Sequence, residues 1–255
     1  MTVPEKPPGA VRVLSWNLER KSPTSPTGRA GIDTLEAMGA DVMVLTEART
    51  GFPAGEGHTV WCGALPYDHL GADERRVVLW SRAPWRDVDE VGDAGLPVGR
   101  FVAATTDTAL GPLRVVGVCV PWHMSNVTVG TRDRAPWEDH LRYLQVLEPL
   151  LAGMAWPVVV AGDFNQTIPR IRGGRRDVAD AMAACFGSFT VATAGAPPGA
   201  SKPVIDHVAV SGGLSAVSVF GWPARSAAGV RMSDRDGVGV DLVDTVEECS
   251  SGRDG

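Results

Sequence analysis

The amino-acid sequence predicts a layered α/β sandwich. Three observations carry that reading: short strand-like apolar runs recur along almost the whole chain, few segments show helical periodicity, and VMVL (42–45) and VVV (158–160) are nearly unbroken apolar runs. A half-exposed strand alternates apolar and polar residues, whereas an unbroken run belongs to a strand buried on both faces. Many such strands with few helices imply sheets packed together with helices outside.

The first three predicted strands are VRVLSW (11–16), DVMVLTE (41–47) and RRVVLWS (75–81). RFVAATTDT (100–108) and PLRVVGVCV (112–120) meet at Leu110-Gly111, which reads as a hairpin. PVVVAGD (157–163), PVIDHVAVS (203–211), SAVSVFG (215–221) and GVGVDLV (237–243) follow. A helix over 29–39 places Ile32, Leu35 and Met38 at helical spacing. A longer one over 134–148 puts Trp137, Leu141, Leu144 and Leu147 on one stripe, with Pro136 near its start and Pro149 as its stop. A shorter one covers 177–186, and the Pro-rich stretch KSPTSPTG (21–28) reads as a mobile loop. No repeat divides the chain, so 11–243 is read as one domain between flexible tails, 1–10 and 246–255.

With 44% hydrophobic residues in 255, the chain can bury a sizeable core. No apolar run approaches the ~20 residues that span a bilayer, and MTVPEKPPGAVRV lacks an apolar signal core. The expectation is a protein with no membrane span, cytoplasmic in location. Cys62, Cys119, Cys185 and Cys249 show no C-x-x-C spacing, so free thiols are expected. A net charge of −6 argues against a surface coated for indiscriminate nucleic-acid binding, although a local basic groove stays compatible with it. Arg outnumbers Lys by 21 to 3, which suits phosphate clamping and equally reflects GC-rich coding.

Functional residues gather where the strands stop. The first strand runs into Asn17 and Glu19, the second into Glu47, and the Cys119 strand into Pro121-Trp122-His123. The Val158 strand ends in Gly162-Asp163-Phe164-Asn165, the Val204 strand carries Asp206-His207, and Ser233-Asp234 precedes the last. Sheet-edge loops are where function concentrates. Carboxylate and amide oxygens are the donors a hard Mg²⁺ takes, and a neighbouring carboxylate or imidazole can accept a proton from an attacking water.

This ordered set resembles the endonuclease/exonuclease/phosphatase superfamily, the fold of DNase I and the exonuclease III-type repair endonucleases, from about residue 11 to about residue 243. The resemblance implies a four-layer α/β sandwich of two mixed, mostly antiparallel sheets packed face to face, helices outside, around a Mg²⁺ site that Mn²⁺ could also fill. It implies that Asn17, Glu47 and Asp234 sit on or beside the metal, and that Glu19 occupies the place of a second acidic group. Asp163 and Asn165 would orient or activate the nucleophile, His123 would contact the phosphate, and Asp206 would pair with a histidine after Asp234.

That histidine is Arg235 here. Arg cannot act as a base near neutral pH, but it can pair with Asp206 and still face a phosphate. Three readings stay open. Asp163 alone is the base with Arg235 as a clamp; or the chain binds phosphate with little turnover; or Arg235 marks a variant of an active parent. Arg170, Arg172, Arg175 and Arg176, just after GDFNQ, are either a solvated loop or a grip on substrate phosphates. His207 points away from the Asp206 face and reads as structural. Trp16 and Trp122 read as packed residues rather than base-stacking platforms.

The implied function is a Mg²⁺-dependent phosphoesterase acting on a phosphodiester, DNA or RNA foremost. Small phosphorylated molecules or lipid head groups are the alternative, and a non-catalytic phosphate-binding module is the third. Cleavage polarity and oligomeric state stay open.

Overall fold

Period-two burial on two faces organises the molecule. In the computed structural model, which describes residues 3–53, 55–63, 71–128, 130–155 and 157–245, strand β1 (Val11–Asn17) is buried along its whole length. Its Val11 and Val13 point one way and its Leu14 and Trp16 the other. β2 (Val42–Arg49) repeats this, with Val42 and Val44 against Met43 and Leu45. Each strand therefore serves two cores, as its unbroken apolar run requires.

The remaining strands are β3 (His58–Trp61), β4 (Glu74–Ser81), β5 (Trp85–Asp89), β6 (Phe101–Thr108), β7 (Gly111–Cys119), β8 (Val158–Asp163), β9 (Phe189–Val191), β10 (Asp206–Ser211), β11 (Leu214–Trp222) and β12 (Gly237–Asp244). They form two six-stranded sheets, ordered β11-β12-β1-β2-β4-β3 and β5-β6-β7-β8-β10-β9. Only β1–β2 and β7–β8 pair in parallel; the other named pairs are antiparallel. Val13, Val44, Val115, Val159 and Val208 fill the space between the sheets.

Helix α1 (Pro26–Ala37) covers the outer face of the first sheet through Leu35, with Met38 just beyond it. Helices α2 (Glu138–Ala152) and α3 (Arg176–Cys185) cover the second through Tyr143, Leu144, Leu147 and Met182. The four layers expected from the resemblance are present.

Several expectations need correction. α1 begins inside the stretch read as a mobile loop: Ser25 caps it, accepting from the Gly28 N–H at 3.0 Å, with Pro26 in the first turn. α2 starts at Glu138 and runs through Pro149, which does not stop it. Proline that late forfeits one hydrogen bond from its own nitrogen, while its carbonyl still accepts from the Gly153 N–H at 3.1 Å. Residues 3–10, read as part of a loose tail, are fastened. Lys6 pairs with Asp41 at 2.7 Å, and the Pro4 carbonyl accepts from Arg12 at 2.8 Å. The tail at 246–255 and Cys249 lie outside the described residues; Cys62, Cys119 and Cys185 are buried free thiols. No helix is long and apolar enough to cross a membrane among the described residues.

Arg12 also makes the best-satisfied buried ion pair. Its Nε and Nη2 meet the two carboxylate oxygens of Asp241 at 2.7 and 2.8 Å, and its Nη1 donates to the Met38 carbonyl at 2.9 Å.

Candidate active site

β1, β2, β7 and β8 end, and β4, β6, β10 and β12 begin, at one rim of the sandwich, because each antiparallel partner starts where its neighbour stops. Asp206 opens β10 directly opposite Asp163, the last residue of β8. Gly162 makes that ending possible: its φ is +135°, and a Cβ there would lie 2.0 Å from the Val118 carbonyl oxygen of the adjoining strand. The rim encloses a cavity of about 750 Å³ whose lining includes Glu19, Glu47, His123, Asp163, Asn165, Asp234 and Arg235.

A line of polar contacts joins the two sheets beneath this cavity. Asn17 of the first sheet donates from Nδ2 to Asp163 Oδ2 of the second at 3.3 Å, while its Oδ1 accepts from the Glu19 N–H at 2.9 Å. The Asn165 N–H donates to Asp163 Oδ1 at 2.9 Å, and the Asn165 amide donates to the Val120 carbonyl at 2.8 Å. Arg235 ion-pairs with Asp163 Oδ2 and approaches Asn165 Oδ1 at 3.4 Å. Burial raises the Asp163 carboxyl above its ordinary value, and Arg235 pulls it back down.

The expected Arg235–Asp206 pair is not made. Asp206 is buried behind Asp163, and neither of its oxygens has a hydrogen-bond partner among the described residues. Burial first, then the Asp163 charge, push its carboxyl well above the ordinary value. The guanidinium goes to the carboxylate that already accepts from Asn17 and Asn165, where negative charge is supported.

Glu47 sits in left-handed backbone, φ +48°, at the end of β2. Its two oxygens face Arg76 and Arg20, each at 3.2 Å. Glu19 lies at the rim between Arg231 at 2.7 Å and Lys21 at 3.0 Å. Asp234 is exposed, its nearest cation being Arg235 Nε at 4.0 Å.

His123 stands in a file of rings: Trp122, His123, Trp137 and His140, with successive centroids 5.1, 5.3 and 5.2 Å apart. Trp122, read as packed, is 41% exposed on the cavity wall, whereas Trp16 is fully buried as expected. His207 is buried too, bridging Thr193 Oγ1 at 3.2 Å and the Gln166 carbonyl at 3.1 Å, away from the cavity.

The arginine loop does not line the cavity. Arg170 donates to the Gly174 carbonyl at 2.7 Å, Arg175 pairs with Asp177, and Arg176 reaches Asp180 at 3.9 Å; Arg172 is exposed. The cavity cations are instead Arg20, Arg76, Arg100 and Arg235, of which only Arg235 was legible as a site residue. Arg76 follows from strand pairing, since β4 runs antiparallel to β2 and sets it opposite Glu47. That pairing is a tertiary fact with no local motif.

The donor chemistry suits a hard divalent cation: an amide oxygen from Asn17 and carboxylates from Glu47 and Asp234, with Glu19 beside them. Among the described residues no three His, Cys, Asp or Glu side chains cluster as an ion-holding group. A set of two carboxylates and one amide leaves the remaining positions to water and substrate, as Mg²⁺ commonly has it.

Comparison with known proteins bears on this arrangement. The model of the Endonuclease/Exonuclease/phosphatase family matches residues 14–234. The chain belongs to that family. Solved structures agree in fold with this endonuclease/exonuclease/phosphatase protein. A 3′ phosphatase from Neisseria, bound to a product DNA hairpin, is 20% identical with a TM-score of 0.66, the match covering 92% of this chain and 100% of the other. An AP endonuclease from Archaeoglobus fulgidus is 14% identical with a TM-score of 0.65, covering 92% and 99%. A family member from Beutenbergia cavernae is 21% identical with a TM-score of 0.61, covering 92% and 72%. No curated protein matches the sequence.

Proposed function

We propose that this family member is a metal-dependent phosphoesterase whose substrate is a phosphodiester, DNA or RNA foremost. The observation that supports this most is the line Arg235–Asp163–Asn17, which ties the ends of both sheets together under a concave polar cavity. Mg²⁺, or Mn²⁺ in its place, supplies Lewis-acid polarisation of a phosphoryl oxygen when bound; Asn17, Glu47 and Asp234 are the residues to hold it, with Glu19 adjoining. Asp163 accepts the proton of the attacking water. Asn165 fixes Asp163 through its backbone N–H. Arg235 has no basic form near neutral pH, so it orients Asp163 and, with His123, meets the charge developing on the phosphate. Asp206 lies behind Asp163.

The names of two structural neighbours, a 3′ phosphatase bound to DNA and an AP endonuclease, favour a nucleic-acid substrate. The arginine loop favours a second reading, hydrolysis of small phosphorylated molecules, because Arg170, Arg175 and Arg176 are engaged locally rather than on the cavity.

Hydrolysis of single- and double-stranded DNA, RNA, a generic phosphodiester and a panel of phosphomonoesters, with Mg²⁺ and with Mn²⁺, tests the proposal. Turnover of polymers by wild type that vanishes in Glu47→Ala is the expected result. Turnover confined to monomers would select the second reading. No turnover of any substrate would leave a phosphate-binding module.

A further inference from the structure

The cavity wall carries one exposed large apolar side chain among the described residues, the indole of Trp122. The other large apolar residues left exposed are aliphatic, and none of them lines the cavity. A lone apolar side chain on an open surface is ordinary. An indole held in a concave polar site beside Glu47, Asp163 and Arg235 is a different matter, because apolar area left in water is unfavourable by about 25 cal/mol per Å². Trp16 and Trp222, by contrast, are fully buried.

The ring is also held in place. Three successive carbonyls of its loop are bonded: Pro121 accepts from Nδ1 of the buried His140 at 2.8 Å, Trp122 from the Ser125 N–H at 2.9 Å, and His123 from the Trp137 N–H at 2.7 Å. The His123 ring lies nearly perpendicular to the indole, at 79° and 5.1 Å between centroids. His123 rests in turn on Trp137, tilted by 35° at 5.3 Å, and Trp137 is set there by left-handed backbone, φ +74°, just before α2. Tryptophan has two side-chain torsions to fix, so little entropy is left to lose when a ligand settles on it. The result is a preformed aromatic face next in the chain to His123, the residue assigned to the phosphate.

We infer that Trp122 is a nucleobase-stacking platform and that it gives this cavity a preference for phosphoesters that carry a base. Every base has a π-face, so such a platform accepts any of the four and contributes about 1–3 kcal/mol per stacked base. A sugar phosphate or a lipid head group offers no flat π-system to the same wall. The inference deepens the phosphoesterase reading and rests on it for the place of the phosphate. Trp122 then takes the base while its chain neighbour His123, with Arg235, takes the phosphate.

The test is calorimetric titration of AMP, ribose 5-phosphate and a short single-stranded oligonucleotide into wild type, Trp122→Leu and Trp122→Phe, with EDTA present to prevent turnover and with thermal melts alongside. AMP and ribose 5-phosphate differ only in the base. Wild type should bind AMP about tenfold more tightly than ribose 5-phosphate. Trp122→Leu should lose that difference, weakening AMP about tenfold and leaving ribose 5-phosphate unchanged, whereas Trp122→Phe should keep most of it. Ribose 5-phosphate is the control that a merely structural tryptophan fails, since general damage to the loop would weaken both ligands alike. Should Trp122→Leu fail to fold, Trp122→Met takes its place in the same titrations. Tighter binding of either AMP or the oligonucleotide supports the platform, and their ranking tells a free nucleotide from a strand. Equal affinity of wild type for AMP and ribose 5-phosphate, no binding of AMP or the oligonucleotide, or equal losses for AMP and ribose 5-phosphate in Trp122→Leu overturns the inference. The two proposals fail separately. Base-dependent binding through Trp122 without any hydrolysis removes the enzyme and keeps the platform, and hydrolysis with affinity indifferent to the base does the reverse.

Discussion

Arg235 forms its ion pair with Asp163 and leaves Asp206, the cross-strand neighbour of Asp163, with no hydrogen-bond partner among the described residues. The residue that follows Asp234 thus acts on the end of β8 rather than on the start of β10. If Arg235 orients Asp163 and meets phosphate charge, Arg235→Ala should lower kcat by about 100-fold, the loss typical of one preorganised donor. Arg235→Lys should recover only part, since it keeps the charge and loses the fork. Steady-state kinetics on the best panel substrate checks this. Arg235→His turning over faster than wild type would show instead that arginine is an impaired substitute for histidine.

Glu47 stands between Arg20 and Arg76. Glu47→Ala should abolish turnover while leaving the melting temperature within a few degrees, because both arginines still reach solvent, Arg20 most of all. Glu47→Gln separates charge from shape and should also be inactive. A Glu47→Ala protein that still hydrolyses substrate would remove Glu47 from the site.

The Arg12–Asp241 pair is buried and bidentate. Breaking it from one side leaves an uncompensated guanidinium, so Asp241→Ala should destabilise by about 3–5 kcal/mol. The double variant Arg12→Met, Asp241→Leu should lose much less. Urea unfolding of the three proteins measures both numbers, and equal losses would sink the account.

Two buried histidines set an acid limit. Burial lowers His140 and His207 from the ordinary 6.5 to about 4. A depressed folded value means that the unfolded chain binds these protons first, so the stabilisation is complete above pH 6.5 and is lost as pH falls towards 4. Each site contributes on the order of 3 kcal/mol across that window. Between pH 7 and pH 4, His207→Gln should lose less stability than wild type, since the raised Asp206 carboxyl acts in the opposite direction in both proteins. Identical slopes in wild type and His207→Gln would contradict it.

How much of this was legible depends on what each residue answers to. β1, β2, β7 and β8 were readable because a strand buried on two faces must be apolar throughout. β3, β5 and β9 were not: they are short edge strands, and β5 is mostly exposed, so no apolar run announces them. Asn17, Glu47, Asp163 and Asp234 were readable because polar residues closing apolar strands need a reason. Arg20, Arg76 and Arg100 were hidden among 21 arginines; the pairing of β4 with β2 selects Arg76, while Arg20 and Arg100 reach the cavity from positions outside the strands with no local motif. Trp122 misled because tryptophan is highly buried on average, whereas the turn after β7 carries it out to the cavity wall.

β1 sits between β2 and β12, and its Arg12 waits for Asp241, 229 positions further along. On a ribosome adding roughly 5–20 residues per second, that separation lasts about 10–45 s. Through that interval the nascent chain exposes one edge of β1, and it lacks Asp234 and Arg235 altogether. Asp234 and Arg235 are thus among the last residues delivered, so an unfinished polypeptide carries Asp163 without its ion-pair partner.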